Sequence, residues 1–171
     1  EFSLVDQYFG NTKEIWMTEF NMTDRNSGFS THSTWAHGLF VASMALGYLE
    51  EPNVAKVTMH TSLGSGVWSA FFSNDQGLLN WNDFTPPPNC QNLTVTGERS
   101  AAGSAMQLIV EAIKHAGTAH QLTFSGGTIP LINGNGTHEA LYGWKFTSDF
   151  GEKVIILNLH EDPCDLTGIS S

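Results

Sequence analysis

The sequence predicts an α/β segment followed by a β-rich one, and three observations carry that expectation. Two short apolar runs, residues 13–20 (KEIWMTEF) and 54–60 (VAKVTMH), read as strands. Between them Trp35, Leu39, Ala42, Leu46 and Leu49 recur at spacings of three and four, as on one face of an amphipathic helix. After residue 118, the runs LTFSGGTIPLI, ALYGWKFTS and KVIILNL are strand-like and parted by Gly, Asn and Asp clusters. The segments are therefore 1–117 and 118–171.

Residues 1–10 read as a helix tail or a loop, closed by Gly10-Asn11. The run 13–20 suits a strand buried on both faces, as in a parallel sheet. A polar stretch, 21–33, holds Asp24, Asn26, Ser27 and Gly28 and reads as a loop. Ser33 or Thr34 is placed to cap the helix that follows, with Trp35 and the Leu/Ala stripe in its core-facing side. Pro52-Asn53 ends it, and the second strand follows after a short turn, completing the strand–helix–strand order of a βαβ unit. Residues 61–97 read as a long irregular region with five aromatics, Trp68, Phe71, Phe72, Trp81 and Phe84. Loops of that length are usually functional when they are ordered. A second helix is expected over 98–116, with Ala102, Ala105 or Met106, Ile109 and Ile113 on one stripe and Gly117 as its C-cap.

Charge and composition limit the partners. The 171 residues are 40% hydrophobic, enough for a packed core, and 7 Lys+Arg against 17 Asp+Glu give a formal charge of −10. Nucleic-acid surfaces replace counterions with clustered cations, which this chain lacks; no nucleic-acid partner is expected. An anionic membrane surface is disfavoured for the same reason. The longest apolar stretch, 38–49, is far short of the about 20 residues a spanning helix needs. The opening Glu1-Phe2-Ser3 has neither a starting Met nor a basic region, so no signal peptide is read. Cys90 and Cys164 form at most one disulfide, and sequons at Asn21, Asn92 and Asn135 fit a secreted or periplasmic setting. His32/His37 and His115/His120 are each five apart, unlike zinc-binding pairs four apart on a helix. Phosphate-cradling glycine motifs and a Gly-X-Ser-X-Gly elbow are absent. No metal and no cofactor are expected.

Glu19 is the notable carboxylate. It stands at the C-terminal end of the first strand, where loops of parallel α/β folds converge on a site, and Trp16 and Phe20 flank it. The plain alternative is an exposed acid paired with Lys13 or Arg25. His60 closes the second strand and would face the same mouth, either packing there or taking part in chemistry. Trp68, in a Gly-rich loop, either stacks on a sugar ring or anchors that loop to its own core.

The motif IWMTEFN at 15–21 resembles the seventh-strand nucleophile motif of clan A glycoside hydrolases. Residues 31–64 are similar to the seventh helix and eighth strand of α-L-arabinofuranosidase-like members, and 96–113 to the eighth helix. The β-rich remainder resembles the C-terminal β-sandwich such enzymes carry. This likeness implies an α/β fold, the C-terminal part of a (β/α)8 TIM barrel followed by a β-sandwich-like segment. It further implies that Glu19 is the nucleophile of a retaining hydrolase, with Thr18, Asn21, His60 and Trp68 binding an oligo- or polysaccharide. The family's acid/base glutamate follows an Asn, and no Asn-Glu dipeptide occurs here. A complete barrel needs roughly 250 residues, and only two βα units are legible. The expectation is therefore a fragment lacking strands one to six, inactive alone and prone to aggregate through its uncovered edges. Two other readings stand beside it: a non-catalytic carbohydrate-binding module using aromatic loop residues, and a domain that only packs against a barrel.

Overall fold

The computed structural model describes residues 6–8, 10, 12–22, 34–60, 63–64, 69–73, 95–125, 127–130, 136–160 and 162. Trp68, Arg25, Cys90, Cys164, Asn92 and Asn135 lie outside the described residues. The chain forms two compact units, Glu1–Glu111 and Ala112–Ser171. The sequence reading places its change of character a little later, at 117/118. Helices and strands are mixed, and the four small sheets among the described residues are open, none closed into a barrel.

In the first unit, residues 6–8 make a helical turn that ends at Gly10, whose φ of 68° suits glycine and whose N–H donates to the Asp6 carbonyl at 2.9 Å. Strand β1 (Ile15–Phe20) follows, then helix α1 (Trp35–Gly47), a short 3-10 turn (Tyr48–Glu50) and strand β2 (Val54–Met59). β1 and β2 pair in parallel, with Ile15 opposite Val54, Met17 opposite Val57 and Phe20 opposite Met59. A right-handed crossover through a helix is the ordinary way to join parallel neighbours. β1 is not buried on both faces as its apolar run suggests. Ile15 and Met17 are half-buried, Trp16, Thr18 and Glu19 are exposed, and Phe20 is buried.

Helix α1 buries the middle of the expected stripe, Ala42 and Leu46 with Leu39 half-buried, but not its two ends. Its inward residues are His37, Gly38, Val41, Ala42, Ala45 and Leu46, whereas Trp35 is 72% exposed and Leu49 is also at the surface. The cause is compositional. Nearly every position of α1 is apolar, so hydrophobic spacing alone does not select a face. Small residues select it instead: a β-carbon at Gly38 would stand 2.9 Å from the Ala101 carbonyl oxygen, so only glycine permits this approach of backbones. Thr34 occupies the N-cap in extended backbone and its carbonyl accepts the Gly38 N–H at 3.2 Å, but its side chain does not make the expected cap bond; Ser33 lies outside the described residues.

The region read as irregular contains three short strands: β3 (Leu63–Gly64), β4 (Phe71–Ser73) and β5 (Val95–Arg99). β3 runs parallel to β4, and β4 antiparallel to β5. Runs this short complete too few repeats of a two-residue period to be seen in sequence. Helix α2 (Ala101–Ile113) starts from a built N-cap. The buried Ser100 Oγ accepts the Gly103 N–H at 3.0 Å, while the Ser100 N–H donates to the Ala70 carbonyl at 3.0 Å. α2 ends before Gly117. His115 takes the left-handed conformation (φ 67°), and the Ala116 N–H closes the turn on the Ile113 carbonyl at 2.9 Å. Gly117 instead donates to the Thr147 carbonyl at 2.9 Å, so it belongs to the sheet that follows rather than to the helix cap.

The second unit is β-structured: β6 (Thr118–Gln121), β7 (Thr128–Pro130), β8 (Thr137–Glu139), β9 (Leu141–Ser148) and β10 (Gly151–Asn158). β9 is central in an antiparallel sheet ordered β10-β9-β6, and β7 pairs with β8. Asp149 and Phe150 form the two-residue connection of the β9–β10 hairpin, with Gly151 at φ 120°. Trp144, Phe146 and Leu157 are buried, and the Trp144 indole N–H donates to the Tyr142 hydroxyl at 3.3 Å.

Candidate functional site

The C-terminal ends of β1 and β2 lie side by side because the two strands are parallel. One backbone bond extends their pairing past β2: the His60 N–H donates to the Phe20 carbonyl at 3.0 Å. Register then decides where Glu19 points. Between the Met17–Val57 and Phe20–Met59 pairs, β1 has one more residue than β2, a bulge containing Thr18 and Glu19. Strict alternation is broken there, and two successive side chains face solvent.

The bulge brings Glu19 Oε2 to 3.5 Å from Nδ1 of His60. The spacing is that of an ion pair, formed in full when His60 carries its second proton, and is long for a hydrogen bond. Glu19's side chain is 71% exposed and His60's 52%, so the pair contributes at most about 1 kcal/mol to stability. Its interest is chemical. A carboxylate with accessible oxygens stands beside an imidazole at the open end of two parallel strands.

Beneath it, the chain is held by polar bonds. Asn21 Oδ1 lies 2.6 Å from Nε2 of His37 and accepts the Met22 N–H at 2.7 Å. The Asn21 Nδ2 donates to the His60 carbonyl. His37 is fully buried in the first turn of α1. Phe20 packs edge-on to Tyr48, ring centroids 5.7 Å apart, closing the apolar layer under the strand ends.

The structure thus gathers three of the residues picked from sequence, Glu19, Asn21 and His60, at one place. Thr18 is exposed beside Glu19, and Trp68 lies outside the described residues. Of the two expected flanking aromatics, Phe20 is buried, while Trp16 is largely exposed with the Lys56 ammonium 5.4 Å from its ring centroid. His37 is the residue that sequence reasoning passed over, having weighed it only as half of a spaced histidine pair. The available signal was composition: in WAHGLFVASMALG it is the one ionisable side chain of an otherwise apolar helix.

Among the described residues, no group of three or more His, Cys, Asp or Glu side chains is arranged to hold a metal ion. No helix among them is long and apolar enough to cross a membrane. The arrangement supplies a nucleophile or base with an imidazole neighbour. Comparison with protein-family models, curated proteins and solved structures gave no match to this chain.

Proposed function

We propose that this chain is the nucleophile-bearing part of a retaining glycoside hydrolase, α-L-arabinofuranosidase-like, acting on polysaccharide side chains, with Glu19 as the nucleophile. One observation carries the reading: Glu19 and His60 lie 3.5 Å apart at the C-terminal ends of adjacent parallel strands joined through a helix. Strand C-termini are where (β/α)8 enzymes place their chemistry. In the retaining mechanism a carboxylate oxygen attacks the anomeric carbon while a second carboxyl, about 5–5.5 Å away, protonates the departing oxygen. The second group would come from chain beyond this sequence. Thr18 and His60 border the nucleophile and are open to a sugar; the rest of the barrel and a saccharide are the partners implied.

The test uses an arabinofuranoside with fluorine at C2 and dinitrophenolate at C1, in the longer polypeptide that the reading implies. The Glu19 oxygen forms an ester bond to C1 as the C1–O bond to dinitrophenolate breaks. Dinitrophenolate departs with the electron pair and needs no proton, so trapping depends on the nucleophile alone. The expected result is one added glycosyl mass on the peptide containing Glu19, and none in Glu19→Gln. A hydrolase labelled at another residue would refute the assignment.

A non-catalytic carbohydrate-binding role is the second reading. What favours it is Trp16, 60% exposed on β1, whose ring offers a sugar the surface that Lys56, over one face, leaves uncovered. Polysaccharide binding that survives Glu19→Gln and is lost in Trp16→Ala, with no turnover by any form, is its signature.

A further inference from the structure

We infer that half-buried Asn21 and buried His37 are a positioning pair that sets the spacing of Glu19 and His60, with the His37 proton held on Nε2. This rests on the proposed catalytic role only for the importance of Glu19; the hydrogen bonds stand without it.

The bonds determine the orientation of the amide. A backbone N–H is only a donor and a backbone carbonyl only an acceptor. The Asn21 atom that meets the Met22 N–H, at 2.7 Å, must therefore be oxygen, and the atom that meets the His60 carbonyl must be nitrogen. With Oδ1 so assigned, the 2.6 Å contact from His37 Nε2 to that oxygen requires a proton on Nε2. Two backbone groups thus determine the protonation pattern of an imidazole on a different element.

The same bonds join three pieces of chain. Asn21 follows β1 by one residue, His60 follows β2 by one residue, and His37 lies in the first turn of α1. Glu19 is two residues before Asn21, and the His60 ring stands on the residue whose carbonyl Asn21 holds. Rotation of the Asn21 amide breaks its bond to the His60 carbonyl and leaves the His60 N–H bond to Phe20 as the remaining tie between the strand ends, loosening the residue whose imidazole faces Glu19. His37 has no solvent exposure, so its ring is fixed in the packed first turn of α1 and its Nε2 is held against Oδ1. This also gives Asn21 a role other than sugar contact: its amide is engaged within the protein.

The tautomer is read on the whole chain by long-range proton–nitrogen correlation with nitrogen-15 in histidine. The expected result is a protonated, pyrrole-type Nε2 for His37; a pyridine-type Nε2 overturns the inference without any variant being made. Positioning is read from the nuclear Overhauser contact between the His60 ring and the Glu19 side chain. His37→Gln, which can place an amide N–H near the site of Nε2, should keep that contact, and His37→Leu should lose it. Persistence of the contact in a folded His37→Leu overturns the inference. If His37→Leu does not fold, Asn21→Asp decides. It keeps the acceptor and removes the donor, so the His37 signal should stay while the His60 contact is lost; retention of both refutes the proposal. Loss of sugar labelling with these signals intact would count against the hydrolase reading alone.

Discussion

Glu19 and His60 meet across the ends of two parallel strands, 3.5 Å apart, although 39 positions with the whole of α1 separate β1's end from β2's. Both side chains are more exposed than buried, so their pairing is a matter of placement more than of stability. His60→Ala should therefore change unfolding free energy by no more than about 1 kcal/mol in urea titration. On the proposed function, the same change in the longer polypeptide it implies should lower turnover while the fold persists. A loss of several kcal/mol would mean that the imidazole is structural.

Glu19→Gln removes the attacking oxygen's charge with almost no change in shape. If Glu19 is the nucleophile as proposed, turnover in the longer polypeptide should fall by on the order of 10³-fold or more, since removing a nucleophile abolishes the step it performs. Measured hydrolysis of an aryl arabinofuranoside checks this. Turnover within a few-fold of the parent would remove Glu19 from the mechanism.

Ser100→Ala deletes the hydroxyl oxygen that accepts the Gly103 N–H inside the protein. The expected loss is about 0.5–2 kcal/mol, at the upper end because the orphaned donor is buried. Amide exchange in the first turn of α2 should accelerate ahead of the rest of the helix. Unchanged protection there would show that the cap contributes nothing.

Gly103→Ala sets two effects against each other. Alanine gains about 1 kcal/mol of helix propensity over glycine. Its β-carbon, however, would overlap the Ala70 carbonyl oxygen, which also receives the Ser100 N–H. Backbone cannot yield as a side-chain tip does, so overpacking prevails and the net result is a loss of about 1–3 kcal/mol in urea unfolding. A stabilised variant would mean that Ala70 does not lie against α2.

Gly117→Ala distinguishes the observed helix end from the expected one. A β-carbon there meets only the Thr147 carbonyl oxygen at 3.9 Å, an ordinary contact. The substitution should be neutral or stabilising by up to about 1 kcal/mol, through lower entropy of the unfolded chain. Were Gly117 the left-handed cap, alanine would be destabilising by about 1 kcal/mol or more.

Local pattern was enough for the strand at Ile15–Phe20, the helix at Trp35–Gly47, the strand at Val54–Met59 and most of the helix at Ala101–Ile113. Each is long enough to complete its period and is bounded by turn or capping residues. The same pattern drew attention to Glu19 and His60 because both close an apolar run. It failed where no period could develop, as in the two- to five-residue strands β3, β4 and β5, and in polar TAHQ of β6. It also failed at Trp35 and at Gly117, where the helix alone leaves two outcomes open. Which face of α1 is buried depends on how closely Ala101 approaches Gly38, and the end of α2 depends on Thr147 taking the Gly117 N–H.

Residue order alone could specify which segments coil or extend, since those preferences act over a few neighbours. Three things needed the assembled chain: the parallel register, the bulge that turns Glu19 outward, and the enlistment of His37 beneath it. Each depends on groups far apart in sequence, backbone in the first two and side chains in the third, finding partners once the chain packs. A buried imidazole left unbonded is costly, and that cost, absent from any local pattern, helps select the arrangement.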